Sequence, residues 1–348
     1  MPPIQVRTAF YSRKKLMANR LAPLGLALSV SIAACGADFA PSADVPDSVE
    51  LPADQMVRTA DPYARGYTDD DFPRIQELAA GVYSYEQLRS AGDEKFTTVS
   101  LFVVSSEGVL VADGQGSVEE TQRMIDAIAE ITDQPITKVV VNSDHGDHTA
   151  GNSAFPVDVQ YYAHPWSIEV VGSAVRDGAE TPLWVQTAEP VEDRTVFEMG
   201  RTSVEIHFLG RAHTGGDLVL YLPEEKIMFM SEAYLHRVFP AMRTAYPSEW
   251  VDMIETAQVM DVDIYVPGHG FVDHPTVLAD ELEVFQGAIR LVIQQAEMLY
   301  EEGFGLADAQ NQAQFGDLEG WSLRSSQGDR ALQQVYAELD GELPGGNR

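Results

Sequence analysis

The chain of 348 residues has a single cysteine, few basic residues and no apolar run of about 18 residues or more, the length that would mark a membrane-spanning helix. Because Cys35 stands alone, the chain cannot form an internal disulfide bond. Lys and Arg number 23 against 54 Asp and Glu, which gives a formal net charge of −31. A surface of this sign repels phosphate backbones and anionic lipid. We therefore expect no nucleic-acid partner and no electrostatic attachment to membranes.

The first 34 residues have the composition of a secretory signal. They carry five basic side chains and no acidic one, and the apolar stretch LAPLGLALSVSIAA (21–34) leads directly to Cys35. The tetrapeptide IAAC (32–35) resembles a bacterial lipobox, whose cysteine is lipidated and becomes the new N-terminus. The sequence therefore predicts a periplasmic lipoprotein anchored to the bacterial envelope at Cys35, with the outer membrane favoured over the inner. An ordinary signal peptide that happens to contain a cysteine is the alternative.

Three segments follow from this interpretation. A signal peptide spans residues 1–34, starting at Met1 or at Met17, and its removal leaves 18 Lys and Arg against 54 Asp and Glu, a formal charge of −36. Residues 35–70 are acidic and rich in Ala and Pro, which predicts a flexible tether. Residues 71–348 are predicted to form one folded domain that closes with C-terminal helices.

Within that domain, strand-like and helix-like patterns alternate along the chain. Predicted strands span 81–87, 97–104, 108–113, 136–142, 195–199, 203–209, 217–222, 226–230 and 263–266. Predicted helices span 118–132, 165–176, 247–260, 276–302 and 329–340. Two strand-rich halves bordered by helices predict an α/β sandwich with helices outside.

His, Asp and Glu residues recur directly after the predicted strands, in loops where a rigid scaffold usually carries function. The segments are SDHGDH (143–148), GRAHTGGD (210–217), MSEAYLHR (230–237) and PGHG (267–270). Imidazole and carboxylate groups are ligands suited to zinc. In the first segment, Gly146 would permit a tight turn that aims its neighbours at one or two metal ions.

These segments resemble the metallo-β-lactamase superfamily, whose HxHxDH motif matches residues 143–148 with Ser143 in place of the first histidine. The resemblance implies an α/β fold, an αββα sandwich of two mixed β-sheets flanked by helices, with two metal pockets. The first comprises position 143, His145 and His213, and the second comprises Asp147, His148 and His269. It also places Glu232 where a bridging aspartate is usual, either as a bridge or as a ligand of the second pocket.

The resemblance implies a zinc-dependent hydrolase that cleaves a carboxylic ester, lactone or amide bond, with a β-lactam as one case. Because a neutral hydroxyl is a poor zinc ligand, Ser143 implies one tightly held zinc, with a second ion weak or absent. The less favoured alternative is that Asp144 substitutes as a ligand. Asp147 or His145 would position or deprotonate the attacking water, with His213 as a hydrogen-bond partner. The alternative is a catalytically degenerate periplasmic protein that binds a metal or ligand on the same fold.

The substrate is expected to be a small molecule, and three side chains are predicted to line its pocket. Ser143 lies beside the expected metal site, and Tyr234 and His236 follow Glu232 closely in the sequence. A pocket wall of aromatic and apolar side chains with a few polar groups is typical of small-molecule sites. The oligomeric state has no signature in the sequence.

Overall fold

The structure, a computed structural model, describes residues 51–175 and 179–345, so the predicted signal peptide and Cys35 lie outside the described residues. The strands within these ranges are β1 (Arg74–Ala79), β2 (Val82–Ala91), β3 (Glu94–Ser105), β4 (Gly108–Ala112), β5 (Ile136–Val141), β6 (Gln160–Ala163), β7 (Glu189–Pro190), β8 (Arg194–Met199), β9 (Thr202–His207), β10 (Val219–Leu222), β11 (Ile227–Leu235) and β12 (Ile264–His269). The α-helices are α1 (Val118–Ile131), α2 (Gly146–Thr149), α3 (Pro165–Ala174), α4 (Leu183–Thr187), α5 (Pro247–Gln258), α6 (Pro275–Glu301), α7 (Leu306–Gln312) and α8 (Arg324–Leu339).

The strands form two packed halves that remain joined along one ladder. The order is β7-β6-β5-β4-β3-β12-β11-β10-β9-β8, and β2 pairs with β3 and with β1. β3 and β12 meet at the residue pair Thr98 and His269. With helices outside both halves, the predicted αββα arrangement is confirmed, although the two predicted sheets share this one point of pairing.

Strand β3 shows how the sequence separates the layers. Val99, Leu101 and Val103 lie in the cluster between the two halves, whereas Phe102 lies in a second cluster with Met124 of α1. All five side chains are at most 1% exposed. Side chains of a strand alternate between its two faces, so an uninterrupted apolar run is buried on both. Replacing such a side chain by alanine costs roughly 2–5 kcal/mol.

The second half is covered by the helices that close the chain. The long helix α6 buries Leu278, Leu282, Phe285 and Ile289, a spacing of three or four residues that gives one apolar face. This face packs on β12 and β11, and α8 packs beside it. No helix in the described part of the chain is long and apolar enough to cross a membrane.

Residues 51–70, predicted as part of the flexible tether, are packed against the domain. Ala60 is fully buried and belongs to the main core cluster. Arg65 is 6% exposed and donates a hydrogen bond of 2.7 Å to Asp273, directly after β12. The prediction was wrong here because the Pro- and Asp-rich composition of this segment conceals a few buried contacts.

Candidate metal centre

The polar loops singled out in the sequence meet at one edge of the two halves. β5 delivers the segment from Ser143 to His148, which ends in the short helix α2. His213 lies in the loop before β10, Glu232 lies within β11, and His269 is the last residue of β12. Six predicted metal ligands therefore converge: His145, Asp147, His148, His213, Glu232 and His269.

Gly146 does not have the role that the sequence suggested. Its φ lies outside the left-handed region, and a side chain at this position would meet nothing within 4 Å. The loop is instead closed by hydrogen bonds from His148 N to His145 O, at 3.0 Å, and from Thr149 Oγ1 to the same carbonyl, at 2.9 Å. Backbone freedom at the glycine is therefore not what forms this loop.

Glu232 contacts four other residues of the cluster. It is 3% exposed, and its Oε2 accepts a hydrogen bond of 2.5 Å from Ser143 Oγ and lies 3.0 Å from His145 Nδ1. Its Oε1 lies 3.2 Å from His213 Nε2 and 3.4 Å from His269 Nε2. One carboxylate thus links histidines of both predicted pockets.

Two groups of ligand atoms share this carboxylate, and within each group all atoms lie within 4.8 Å of one another. The members are His145, His213 and Glu232 in the first group, and Asp147, His148, Glu232 and His269 in the second. Zinc bound tetrahedrally at about 2.0–2.2 Å from N and O ligands separates those ligands by about 3.3–3.6 Å. The contacts of 3.0–3.4 Å to Glu232 and of 3.2 Å between His269 and Asp147 are close to this spacing. The donor set fits zinc.

Two histidines of the second group each have a backbone or carboxylate oxygen close to their Nδ1 atom, which orients the ring. His269 Nδ1 lies 2.9 Å from the carbonyl oxygen of Thr97, and His148 Nδ1 lies 3.0 Å from Asp113 Oδ2. His148 is fully buried, yet its Nε2 has no hydrogen-bond partner among the described residues. Buried polar atoms are normally satisfied, so an orphaned nitrogen in a cluster of ligand residues fits the role of a metal ligand.

Asp113, which stands behind His148, is itself firmly held. Its fully buried carboxylate accepts hydrogen bonds from Asn142 N, at 2.7 Å, and from Ser231 Oγ, at 2.5 Å. Asp113 and Ser231 both have positive φ values, 62° and 47°. Such backbone strain costs of order 1–3 kcal/mol per residue and persists where surrounding contacts enforce it, commonly at functional sites.

Opposite charges compensate one another within the cluster. Burial alone would lower the pKa of His145 and His269, but the neighbouring carboxylates outweigh it and raise these pKa values to about 9 and about 10. Burial likewise opposes ionisation of Glu232, but His145 and His213 hold its pKa well below the usual range. Burial lowers the pKa of His213, which favours the neutral imidazole that binds metals. Nearby positive charge therefore stabilises the buried carboxylates of the cluster.

Comparison with known proteins identifies the scaffold. No family model matches the chain. A curated relative, the type 2 metallo-β-lactamase of Bacillus sp. (strain 170), is 24% identical over 218 residues, which cover 61% of this chain and 82% of the relative. A solved metallo-β-lactamase from Pontibacter korlensis superposes with a TM-score of 0.53 at 21% identity, over 61% of this chain and 98% of that one. The chain has the metallo-β-lactamase fold. The 2,4-dinitroanisole O-demethylase subunit alpha of Nocardioides sp. (strain JS1661) is 23% identical over 49% of this chain and 52% of its own length.

Against the superfamily motif, this metallo-β-lactamase-like chain departs at two positions that touch each other. Ser143 stands where the motif has a histidine, and Glu232 stands where the motif has an aspartate and is longer by one methylene. Their side-chain oxygens lie 2.5 Å apart. The two side chains that depart from the motif are thus hydrogen-bonded to each other. Asp144, the alternative ligand for the first pocket, belongs to neither ligand group, and its Oδ2 is buried without a partner among the described residues.

Tyr234 and His236, predicted to line the substrate pocket, lie elsewhere. Tyr234 is fully buried and its hydroxyl donates to Leu278 O at 3.0 Å; His236 is 1% exposed with Nδ1 2.8 Å from Phe271 O. Strand alternation alone would put both on the face of Glu232. The pairing of β11 with β12 is irregular at this point, however, so that Leu235 reaches the metal cleft instead.

The metal centre opens into a cleft with cationic side chains at its rim. Arg89, Arg243 and Arg330 line this cleft together with the ligand residues. Arg89 Nε lies 3.6 Å from Asp147 Oδ2. A larger cavity of about 590 Å³ borders the cleft and shares His145 and Arg243 with it. None of these three arginines stood out in the sequence, since they lie far apart along the chain and outside any motif.

Proposed function

We propose that the protein is a zinc-dependent hydrolase that cleaves a carboxylic ester, lactone or amide bond of a small molecule. The observation that carries the proposal is Glu232, whose carboxylate contacts histidines of both ligand groups at the base of an open cleft. The curated relative from Bacillus is named for β-lactam hydrolysis, which makes a β-lactam one case of the proposed amide substrates.

Zinc held by these residues would supply a bound water whose pKa falls from 15.7 to about 7 and would polarise the substrate carbonyl. The chain's own residues position the reacting groups. Asp147 stays ionised, since the histidines beside it keep its pKa low against the effect of burial. A carboxylate of this kind accepts a hydrogen bond from the attacking water and orients it. Arg89 contacts the same carboxylate and restrains it.

His145 lies on the open side of the centre. Its Nε2 lies 2.9 Å from Thr244 Oγ1, while its Nδ1 lies 3.0 Å from Glu232 Oε2. Thr244 therefore fixes the plane of the ring and leaves Nδ1 directed at the carboxylate. His213 Nε2, 3.1 Å from His145 Nδ1, completes the first group.

The geometry favours two zinc ions over the single ion that Ser143 first suggested. Glu232 supplies the first group with a carboxylate beside two imidazoles, and the second group keeps Asp147, His148 and His269. Three protein ligands with one open position are the usual composition of a catalytic zinc site. A catalytically degenerate binding protein is not favoured, because both groups retain enough ligands.

Metal content and turnover of the purified protein test the proposal. We expect close to two zinc ions per chain and hydrolysis of at least one member of an ester, lactone and cephalosporin panel. His269→Ala should abolish turnover and lower the zinc content. His207→Ala, a histidine of β9 whose imidazole contacts Glu205 at 2.7 Å, is the matched control and should change neither. Turnover that survives both chelation and His269→Ala would rule out the proposed chemistry.

A further inference from the structure

The loop that follows the ligand residue His269 is enclosed on all sides by other parts of the chain. Residues 270–274 connect β12 to α6, and Phe271 within them is fully buried. A side chain at Gly270, whose φ is 89°, would overlap the carbonyl group of His236. The groups packed on this loop therefore restrict the position of His269 directly before it.

A segment near the start of the described chain, the N-terminal strap (residues 53–67), reaches this loop through Arg65. The side chain of Arg65 is fully buried, and its Nη2 donates a hydrogen bond of 2.7 Å to Asp273 Oδ1. Its Nε donates to the carbonyl oxygen of Asp54 at 3.1 Å, and its Cζ lies 4.0 Å from the centre of the Phe271 ring. Charge-assisted hydrogen bonds and cations over aromatic rings are both attractive contacts. One side chain thus joins the strap to two residues of the loop.

Two further contacts of the strap support the same loop. The ring of Tyr67 stacks on Phe271 with 5.4 Å between the ring centres, and its hydroxyl donates to Asp54 Oδ2 at 2.7 Å. Gln55 Oε1 accepts a hydrogen bond of 3.0 Å from the backbone N–H of His274, the residue that caps α6. The strap therefore contacts the loop in its middle and at its end.

Hydrogen bonds couple the position of the loop to that of His269. The backbone N–H of His236 donates to His269 O at 2.9 Å, and the ring Nδ1 of His236 lies 2.8 Å from Phe271 O. Thr97 Oγ1 donates to Gly270 O, and the carbonyl oxygen of Thr97 lies 2.9 Å from His269 Nδ1. His236 and Thr97 each contact both the ligand residue and the loop. A shift of Phe271 would therefore disturb the contacts that orient the His269 ring.

Asp273 depends on Arg65 for the compensation of its charge. The side chain of Asp273 is 1% exposed, and Arg65 is the only Lys or Arg within 4.0 Å of its carboxylate among the described residues. A buried carboxylate that loses its partner is strongly disfavoured and moves towards water. Gln76 and Glu86 hold the backbone of Val272, at 2.8 and 3.3 Å. Because of these contacts, loss of Arg65 should shift the loop and leave it folded.

We propose that Arg65 is a positioning residue of the metal centre, which acts through Asp273 and Phe271 on the ligand His269. This inference rests on the zinc site of the function proposed above, and it is independent of the bond that is cleaved. Coupling between two sites is reciprocal, so a strap that strengthens zinc binding is itself held more firmly when zinc is bound. Residues 53–67, which the sequence assigned to a flexible tether, then support the metal centre.

The zinc affinity of the purified chain, measured by competition with a chelator, tests the direct effect. Arg65→Gln should weaken zinc binding by the second ligand group about tenfold, the lower end of the loss expected when a residue behind a metal ligand is changed. Arg65→Lys keeps a cation near Asp273 and should recover most of the affinity. Tyr67→Leu removes the ring that stacks on Phe271 from a partly exposed position, and it should also weaken binding. This second site keeps the test valid if Arg65→Gln does not fold.

Two control variants separate positioning from a general loss of stability. Arg290→Gln removes a guanidinium of α6 that pairs with Glu255 and touches neither the strap nor the loop. Ile128→Ala removes a buried side chain of α1 and lowers the stability of the fold. Both should keep the zinc affinity of the natural chain. An equal loss of affinity in Ile128→Ala and Arg65→Gln would contradict the positioning role.

Hydrogen–deuterium exchange with and without zinc, measured by mass spectrometry, tests the reciprocal effect. Zinc should slow the exchange of backbone amides in residues 53–67 about tenfold, the factor by which Arg65→Gln weakens zinc binding. Residues 194–207, the hairpin of β8 and β9, are the internal control and should show no such factor. In Arg65→Gln, the strap should exchange rapidly with and without zinc.

Failure of this inference is distinguishable from failure of the proposed function. If the natural chain and Arg65→Gln bind zinc equally well, or if zinc leaves the exchange of the strap unchanged, the positioning role is overturned alone. If the coupling is found and no substrate is cleaved, the positioning role stands and the hydrolase proposal fails. A natural chain that binds no zinc would overturn both.

Discussion

Ser143 and Glu232 stand where the superfamily motif has a histidine and an aspartate. We expect that changing either one alone to the motif residue impairs zinc binding, and that changing both together restores it. Shortening Glu232 to aspartate withdraws the carboxylate by about 1.5 Å, one carbon–carbon bond. The distance from the carboxylate to His145 Nδ1, now 3.0 Å, would grow to about 4.5 Å, beyond the separation of two ligands on one zinc. Ser143 would also lose its buried acceptor, at a cost of about 1–3 kcal/mol.

The expected zinc contents follow from this geometry. The natural protein should bind two ions and Glu232→Asp about one, because the first group loses its third ligand. Ser143→His alone should also bind about one, since the ring would compete for space with a carboxylate 2.5 Å from the serine oxygen. The double variant carries the superfamily pair and should recover two ions. Changes to residues behind a metal ligand weaken binding about 10–100-fold, so loss of a ligand should weaken it at least 100-fold.

Zinc is counted by mass spectrometry after dialysis against a chelator of known affinity, and the cobalt form gives an independent absorption spectrum of each site. Glu281→Asp is the matched control, because this buried glutamate on α6 pairs with Arg237 and belongs to neither ligand group. It should lose stability and keep two zinc ions. Two ions in Glu232→Asp, or a double variant no better than the sum of its single changes, would refute the reasoning.

Three further predictions concern the surroundings of the centre, the buried charges and the N-terminus. Asp113→Asn should weaken zinc binding about 10–100-fold, since the carboxylate behind His148 is lost; competition with a chelator measures this, and unchanged affinity would contradict the role of Asp113. Burial raises the pKa of Glu86 to about 7. The folded chain therefore holds a proton that the unfolded chain releases above about pH 4.5, and stability falls by up to about 3 kcal/mol as the pH rises to 7. In Glu86→Gln, the free energy of unfolding measured with urea should change less between pH 5 and pH 7.5 than in the natural protein. An equal change in both proteins would exclude this role for Glu86. Cys35→Ser should move the protein from the membrane to the soluble envelope fraction, and an unchanged distribution would exclude a lipid anchor at Cys35.

Strongly patterned elements of the fold were predictable from the sequence. Helix α1, expected at 118–132, spans Val118–Ile131, because its apolar residues repeat at helical spacing and Ser117 caps its first turn. β1 was missed, since none of its residues is buried and it shows no alternation. The start of α8 was also missed, because Leu323 precedes it with a φ of 65° and no side-chain cap. Contacts along the whole chain determine such boundaries, and short windows of sequence do not contain them.

The ligand residues were predictable because their segments match the superfamily motif in order and spacing. Their partners were not. The sequence presented Ser143 as a missing ligand and Glu232 as an awkward one, in segments 89 residues apart, with nothing to show that they touch. In the structure these two departures from the motif contact each other through a hydrogen bond. Burying this carboxylate without partners would cost several kcal/mol, whereas His145, His213 and His269 all lie within 3.4 Å of it. A neutral or apolar side chain in place of Glu232 would therefore leave three histidines without their shared acceptor, and so position 232 should tolerate only a carboxylate.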